Sequence, residues 1–487
     1  MTAIGITLGG FVTLATGISL VYLLMGIPGR GSKSRVLTTV CLGLAVGVVL
    51  TSCGHFFWQE VLSRTPSTFL LVDVGLLLVV ASALRLRSTR RSVVDPSAGT
   101  VGPTQRIVAV PLLSAASLAA VFAGAAFVLH QLTGREGAWD AVSIWNLKAH
   151  FLLRAGPYWS DAIDPALLQS HPDYPLLLPL TIARIWRYAG GIDSTFVPIA
   201  AAAIFTTASV VLLGASVALV RGRAQGWLAA LALLAMPFFF EVGAWQYADV
   251  PLAFFELATI VCATLAYRQE ETDGAADDRA RGAWTVAGLC AGGALWTKNE
   301  GALFVAAFLA AVVAVDLLRR DQMRARTRLG KIGMGLLPAV ITLIAFRLKH
   351  PFPNDIVASL DHRMLGRMLD PSRHATVFNH LQREASSSPD RLPTFFVFAY
   401  AAVAAAQTHR IGSSLRSSER TALAASALCL VLLSAALYST YLITPYPVDW
   451  QITRSAHRLW LQLLPSVLFV IFVALPPAES VLGARQR

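Results

Sequence analysis

The chain has 487 residues, 55% of them hydrophobic and only 14% charged, with a mean hydropathy of +0.60. A soluble domain carries about 25% charged residues, so the composition excludes a soluble globular protein and predicts an all-α polytopic membrane protein. The formal charge of +12 does not argue for nucleic acid, because the basic residues fall mainly in short loops between apolar runs, as the positive-inside pattern requires.

Many apolar runs reach the roughly 20 residues that cross a bilayer as a helix. Helix is the expected form because lipid cannot satisfy free backbone groups and the runs lack the alternation of barrel strands. Thirteen spans are expected. The first six cover 4–27, 36–56, 67–84, 107–131, 195–220 and 226–240. One then opens at Val250-Pro251 and one rises to Trp296, followed by 302–318, 332–348, 393–407, 421–442 and 459–475. The first run lacks a basic leader and a small-residue cleavage site and reads as a retained span. The linker 85–106, with Arg85, Arg87, Arg90, Arg91 and Arg106, divides a three-helix unit (1–106) from the main module (107–475), and 476–487 is a tail. Lysine and arginine place the N-terminus outside and the C-terminus in the cytoplasm. The loops holding Arg30, Arg64, Arg485 and Arg487 follow from the same scheme.

Cys41, Cys53, Cys262, Cys290 and Cys429 all lie inside apolar runs and no CxxC occurs, so neither a disulfide nor a zinc site is expected. Walker, GxGxxG, HExxH and GxSxG motifs are absent, which removes ATPases, dinucleotide enzymes, zinc proteases and the usual serine hydrolases.

With this topology the polar clusters meet at the outer face. Trp139-Asp140 follows a span, and 141–155 reads as an amphipathic helix lying on the bilayer, with Asn146 and His150 on one side. The run 176–186, with Arg184 and Arg187, is too short to span and reads as a surface or half-embedded helix. Asp140 could serve as a general base toward a hydroxyl or cap the following helix. Asp249, in a short loop with Trp245 and Tyr247, could hold an acceptor, share a divalent metal with Asp140, or cap its own span. Lys148 and His150 could bind phosphate, or Lys148 could snorkel to headgroups. Lys298-Asn299-Glu300 sits in a tight hairpin, where Lys298 and Glu300 could pair with each other. Arg454 and Arg458, four apart, could grip a phosphate or anchor the interface beside Tyr446 and Trp450. The segment 349–391 is expected to be an outer loop too short to form a folded domain.

Several motifs, in this order and spacing, resemble the GT-C superfamily of glycosyltransferases that use polyprenyl-phosphate sugars, in particular bacterial family-39-like members. They are Trp139-Asp140 after an in-to-out span, His171-Pro172-Asp173-Tyr174-Pro175 before a short helix, Tyr247-Ala248-Asp249-Val250-Pro251 opening a span, Thr297-Lys298-Asn299-Glu300-Gly301 in a hairpin, and the closing 441–465 segment with Asp449, Trp450, Arg458 and Gln462. The resemblance covers about 107–475. It implies a sugar donor on a polyprenyl phosphate, Asp140 as base with inversion, Asp249 as a second acid, and Lys298 on the lipid phosphate. Lys148, His150, His171, Asp173, Glu300, Arg454 and Arg458 then become substrate or phosphate contacts. Trp139, Trp145, Tyr247, Tyr446 and Trp450 become sugar or lipid contacts. It implies a glycan or lipid acceptor, membrane lipids as partners, a bacterial plasma membrane with the site on its outer side, and no required cofactor, a divalent metal at Asp140 and Asp249 being the alternative. Ala141 stands where protein O-mannosyltransferases carry a glutamate after the aspartate, which points away from a protein acceptor. A transporter or flippase, or a non-catalytic scaffold of envelope-polymer synthesis, are the competing readings.

Overall fold

The structure, a computed structural model, describes residues 2–26, 32–62, 68–87, 103–271, 275–352, 357, 359–411 and 415–483. Among the described residues the chain is helical and forms no strand. Its helices in chain order are α1 (Thr2–Met25), α2 (Lys33–Leu62), α3 (Phe69–Arg87), α4 (Pro103–Thr133), α5 (Asn146–Arg154), α6 (Leu177–Tyr188), α7 (Phe196–Arg221), α8 (Arg223–Leu234), α9 (Pro237–Ala244), α10 (Asp249–Gln269), α11 (Ala275–Thr297), α12 (Glu300–Leu318), α13 (Gln322–Lys349), α14 (Met364–Leu369), α15 (Pro371–Ser387), α16 (Arg391–Ile411), α17 (Ser417–Ile443), α18 (Val448–Ala474) and α19 (Ala478–Gly483). Most of the expected 85–106 linker, and Arg30, Arg64, Arg90, Arg91, Arg485 and Arg487, lie outside the described residues.

Every expected span falls on a helix, but the helices are not equally suited to a bilayer. Among the described residues nine are long and apolar enough to cross it: α1, α2, α4, α7, α10, α12, α13, α17 and α18. The expected span at 226–240 is a broken one. Here α8 and α9 meet at 63°, where Pro237 opens α9 because proline offers no N–H to the preceding turn and clashes with it. α3, α11 and α16 do not meet the same measure of length and apolarity. α11 carries Asp277, Asp278, Arg279 and Arg281 near its start and continues with several glycines, threonines and two tryptophans, which lower its apolarity. The rest of α11 lies in the core, with Trp284 and Trp296 buried.

α10 and α11 form the centre. α10 is buried along nearly its whole length, including Asp249 and Glu256. α11 packs closely on α13 because both present glycine there. A Cβ on Gly288 would come 2.2 Å from the Ile332 carbonyl oxygen, and one on Gly335 2.1 Å from that of Thr285, so any side chain would force the backbones apart.

Three extramembrane segments carry more structure than their sequences alone suggest. The 141–155 segment is helical as expected but not one regular helix. It opens with a π turn, Ala141–Trp145, and continues into α5, whose Asn146 and Lys148 are buried. α6 is short and amphipathic as expected, and packing against α1, α2 and α5 buries one face of it together with Arg184, which pairs with Asp73 of α3. The 349–391 segment contains the helices α14 and α15. α15 is tied down by Arg373, which donates to the carbonyl of Thr444 at 2.9 Å.

One carboxylate ties the first three helices to α6. Asp73 of α3 receives Arg184 of α6 at 2.9–3.2 Å and the Tyr188 hydroxyl at 2.8 Å. Arg184 also donates to Thr13 of α1 at 2.7 Å, and His55 of α2 lies 3.5 Å from Asp73. A buried guanidinium needs its charge matched and its donors filled, and helices from the N-terminal unit supply both.

Candidate active site

Two loops carry the acids, and a glutamine locks them together. Gln246, held at φ +61, donates to Gln131 at 3.1 Å and to the Arg135 carbonyl at 3.0 Å, and it accepts from Asn146 at 3.1 Å. Gln131 reaches the Ala244 carbonyl at 2.6 Å, and the Ala138 amide reaches the Trp245 carbonyl at 3.1 Å. The ends of α4 and α9 are thereby fixed against each other, so Asp140 and Asp249 reach one place from sequence positions far apart. A π turn such as the one after Asp140 is rare and frequently marks a functional site.

Neither acid caps a helix with its side chain. Asp140 contacts Arg458 of α18, whose guanidinium also lies 3.8 Å from Asp249 and 5.1 Å from the centre of the Tyr247 ring. Asp249 accepts from Lys298 at 3.0 Å and from Gln462 at 2.6 Å. Lys298 lies 3.1 Å from Glu300 as well. Its hairpin is tight because Gly301 allows the approach: a Cβ there would come 1.9 Å from the Ala294 carbonyl. Burial alone would lower the Lys298 ammonium, but the Asp249 and Glu300 charges together raise it above the ordinary lysine value. Three carboxylates thus surround two cations, and Asp249 Oδ2 and Glu300 Oε2 are buried without a hydrogen-bond partner among the described residues. Asp140 and Arg458 are the openings to solvent, their side chains 21% and 18% exposed.

A second cluster adjoins the first across Tyr174. The Lys148 and Lys298 ammonium nitrogens each lie 5.9 Å from the centre of its ring, and Trp145 and His171 stack on it at 5.5 and 4.5 Å. Lys148 is only 1% exposed and donates to the His171 carbonyl at 2.6 Å. Burial pulls its ammonium down to about 7, with Asp173 opposing the shift and Arg347 adding to it. Asn299 donates to Asp173 and accepts from Arg347 at 3.1 Å. Burial raises the Asp173 carboxyl despite these neighbours.

The structure therefore gathers Asp140, Asp249, Lys298, Glu300, Arg458 and Tyr247, with Lys148, His171, Asp173 and Trp145 beside them. It leaves other candidates outside. His150 pairs with Asp193 at 3.0 Å and stacks on Trp186. Trp139 is 71% exposed. Arg454 is exposed, 4.5 Å over Trp450, which in turn neighbours Tyr446. Arg454 and Arg458 meet different partners, and Lys148 is buried against the His171 carbonyl. Sequence reasoning missed Arg347, Gln246 and Glu256. Glu256 is buried on α10 two turns from Asp249, and its Oε2 has no partner among the described residues. A glutamate inside an apolar run is itself a sign of function. Arg347 could not be told from an ordinary helix-end arginine. Among the described residues no group of three or more His, Cys, Asp or Glu side chains is placed to hold a metal, and the Asp140–Asp249 pair is bridged by Arg458.

No curated protein and no solved structure matches the chain. Residues 173–346, a minority of the chain, match the family model of dolichyl-phosphate-mannose-protein mannosyltransferases. That segment holds Asp173, Asp249, Lys298 and Glu300, the inner half of the two clusters. Joined to the all-helical membrane architecture, the match supports placing this protein among the polytopic glycosyltransferases of the GT-C superfamily.

Proposed function

We propose that the protein moves a sugar from a polyprenyl phosphate to a hydroxyl of a glycan or lipid acceptor, on the outer side of a bacterial plasma membrane. The observation that carries this reading is the convergence of Asp140, Asp249, Glu300, Lys298 and Arg458, from four separate stretches of chain, at one end of the bundle. Asp140, the most exposed carboxylate of the group, acts as general base on the acceptor. Asp249 and Glu300 stabilise positive charge growing on the sugar, and direct displacement inverts the anomeric carbon. The leaving group is already a phosphate, so no nucleotide is needed. Arg458 already bridges the two aspartates, so a divalent ion there would have to displace it, and the reaction is proposed to need none. Activity that disappears on chelation and returns with a divalent metal would contradict that point.

The test offers purified protein in liposomes a panel of labelled polyprenyl-phosphate sugars. Donor consumed by wild type and not by Asp140→Asn supports the reading and names the sugar. Glu256, inside α10, is the kind of group a transporter uses. Label crossing the membrane unchanged, in wild type and in Asp140→Asn alike, would replace the enzyme with a transporter.

A further inference from the structure

The two clusters beside Tyr174 carry opposite net charge. On one side Asp140, Asp249 and Glu300 outnumber Lys298 and Arg458. On the other, Lys148 and Arg347 outnumber Asp173. The 297–300 hairpin serves both: Lys298 and Glu300 belong to the acidic cluster, and Asn299 belongs to the basic one. A glycosyl phosphate is polar in the same sense, with an anionic phosphate at one end and, as its bond breaks, a cationic anomeric carbon at the other.

Lys298 is poorly placed to bind the phosphate, although the resemblance to GT-C enzymes points there. Its ammonium lies between Asp249 and Glu300, 3.0 and 3.1 Å away, and a phosphate brought to it would approach two carboxylates. Arg347 is placed differently. Its Nη2 is spent on Asn299, while Nη1 is buried with no hydrogen-bond partner among the described residues. Leaving a guanidinium nitrogen buried and unmet is costly, and a phosphate oxygen is the partner that arginine geometry suits best. Lys148 is anchored by the His171 carbonyl, which leaves the rest of its ammonium for a second oxygen.

We propose that Arg347, Lys148 and Asn299 form the seat of the donor's phosphate, and that the carboxylates of Asp140, Asp249 and Glu300 face the sugar. The proposal rests on the glycosyltransferase reading and assigns its two poles. The C1–O bond to phosphate breaks with its electron pair going to the phosphate oxygen beside Arg347. The acceptor oxygen bonds to C1 from the Asp140 side, and its proton passes to Asp140. Tyr174, stacked between its neighbours, sets the boundary between the poles. Arg347 is a binding residue in this scheme, and it lies just outside the segment that matches the family model.

The experiment measures binding of a polyprenyl methyl phosphodiester, which has the phosphate and the lipid but no sugar, to purified wild type, Arg347→Gln, Arg347→Lys, Lys148→Gln and Lys298→Gln. Thermal unfolding is recorded alongside, so that only folded variants are compared. Arg347→Gln is expected to weaken binding about 10- to 100-fold, the usual loss of a hydrogen bond to a charged group. Arg347→Lys should recover part of that loss, Lys148→Gln should follow Arg347→Gln, and Lys298→Gln should change binding at most about threefold, since it makes no contact with the ligand in this scheme. Wild-type affinity in Arg347→Gln and Lys148→Gln, with the loss in Lys298→Gln instead, would overturn the proposal and leave the glycosyltransferase reading standing. Failure of wild type to bind any polyprenyl phosphodiester would overturn both.

Discussion

Two buried ionic clusters in this bundle look alike at first and are built on different accounts of charge. Around Asp73 a single carboxylate meets a single guanidinium, Arg184, with the Tyr188 hydroxyl, Thr13, the Gly9 carbonyl and the His55 ring around them. Four helices close over it, leaving both side chains 1% exposed. Around Asp249 three carboxylates meet two cations, two carboxylate oxygens lack partners among the described residues, and Asp140 and Arg458 reach solvent. A charge-balanced cluster sealed from solvent holds helices together, even though the His55 ring nitrogens and one Arg184 nitrogen lack hydrogen-bond partners among the described residues. An unbalanced cluster that opens outward is incomplete until something of complementary charge enters it. That difference separates structure from site more sharply than burial does, since both clusters are buried.

Substitutions can break the comparison. The largest effect expected is on transfer: Asp140→Asn should lower the rate by about 100- to 10,000-fold, the usual worth of a general base, with an unchanged thermal midpoint because the side chain is partly exposed. Next comes Asp73→Asn, which leaves Arg184 uncompensated and should cost about 3–5 kcal/mol of stability, read as a lower unfolding temperature. Asp249→Asn sharpens the contrast. It removes one carboxylate from an acid-rich group, so it should cost less stability than Asp73→Asn while abolishing most transfer. A smaller effect is expected from pH. Lys148 faces Asp173, Arg347, the His171 carbonyl and the Tyr174 ring. It carries its charge below about 7 and loses it above, so binding of a phosphodiester, which does not itself titrate there, should weaken as pH rises through neutrality. Lys148→Arg should flatten that profile. The smallest is Arg454→Ala, which removes only an exposed stacking contact on Trp450 worth about 0.5–1 kcal/mol and should leave donor turnover unchanged.

Much of this was legible in the residues alone, for physical reasons. Spans follow from apolar length, and every expected span fell on a helix. The hairpin at Lys298 was legible because glycine and two opposite charges have few other uses at the end of an apolar helix. The meeting of Asp140 with Asp249 was expected from topology, but the device that enforces it was not. Gln131, Asn146 and Gln246 are uncharged, far apart in the chain and silent until the loops are placed. For α6, length and its two arginines suggest a surface or half-embedded helix and say nothing of which arginine is buried. Only the partners Asp73 and Thr13, on helices distant in sequence, reveal that Arg184 can be buried. Arg454 and Arg458 share a helix face by spacing, yet Arg458 faces Asp140 and Arg454 lies over Trp450, because spacing of four fixes proximity to each other and not to a third group.

The most direct test compares the clusters in one assay: release of polyprenyl phosphate from a labelled donor by wild type, Asp140→Asn and Asp73→Asn, each normalised to folded protein. The account predicts that Asp140→Asn is folded and inactive, and that Asp73→Asn is less stable yet turns over donor per folded molecule as wild type does. Full turnover by Asp140→Asn, or an Asp73→Asn enzyme that folds normally and fails to react, would contradict it.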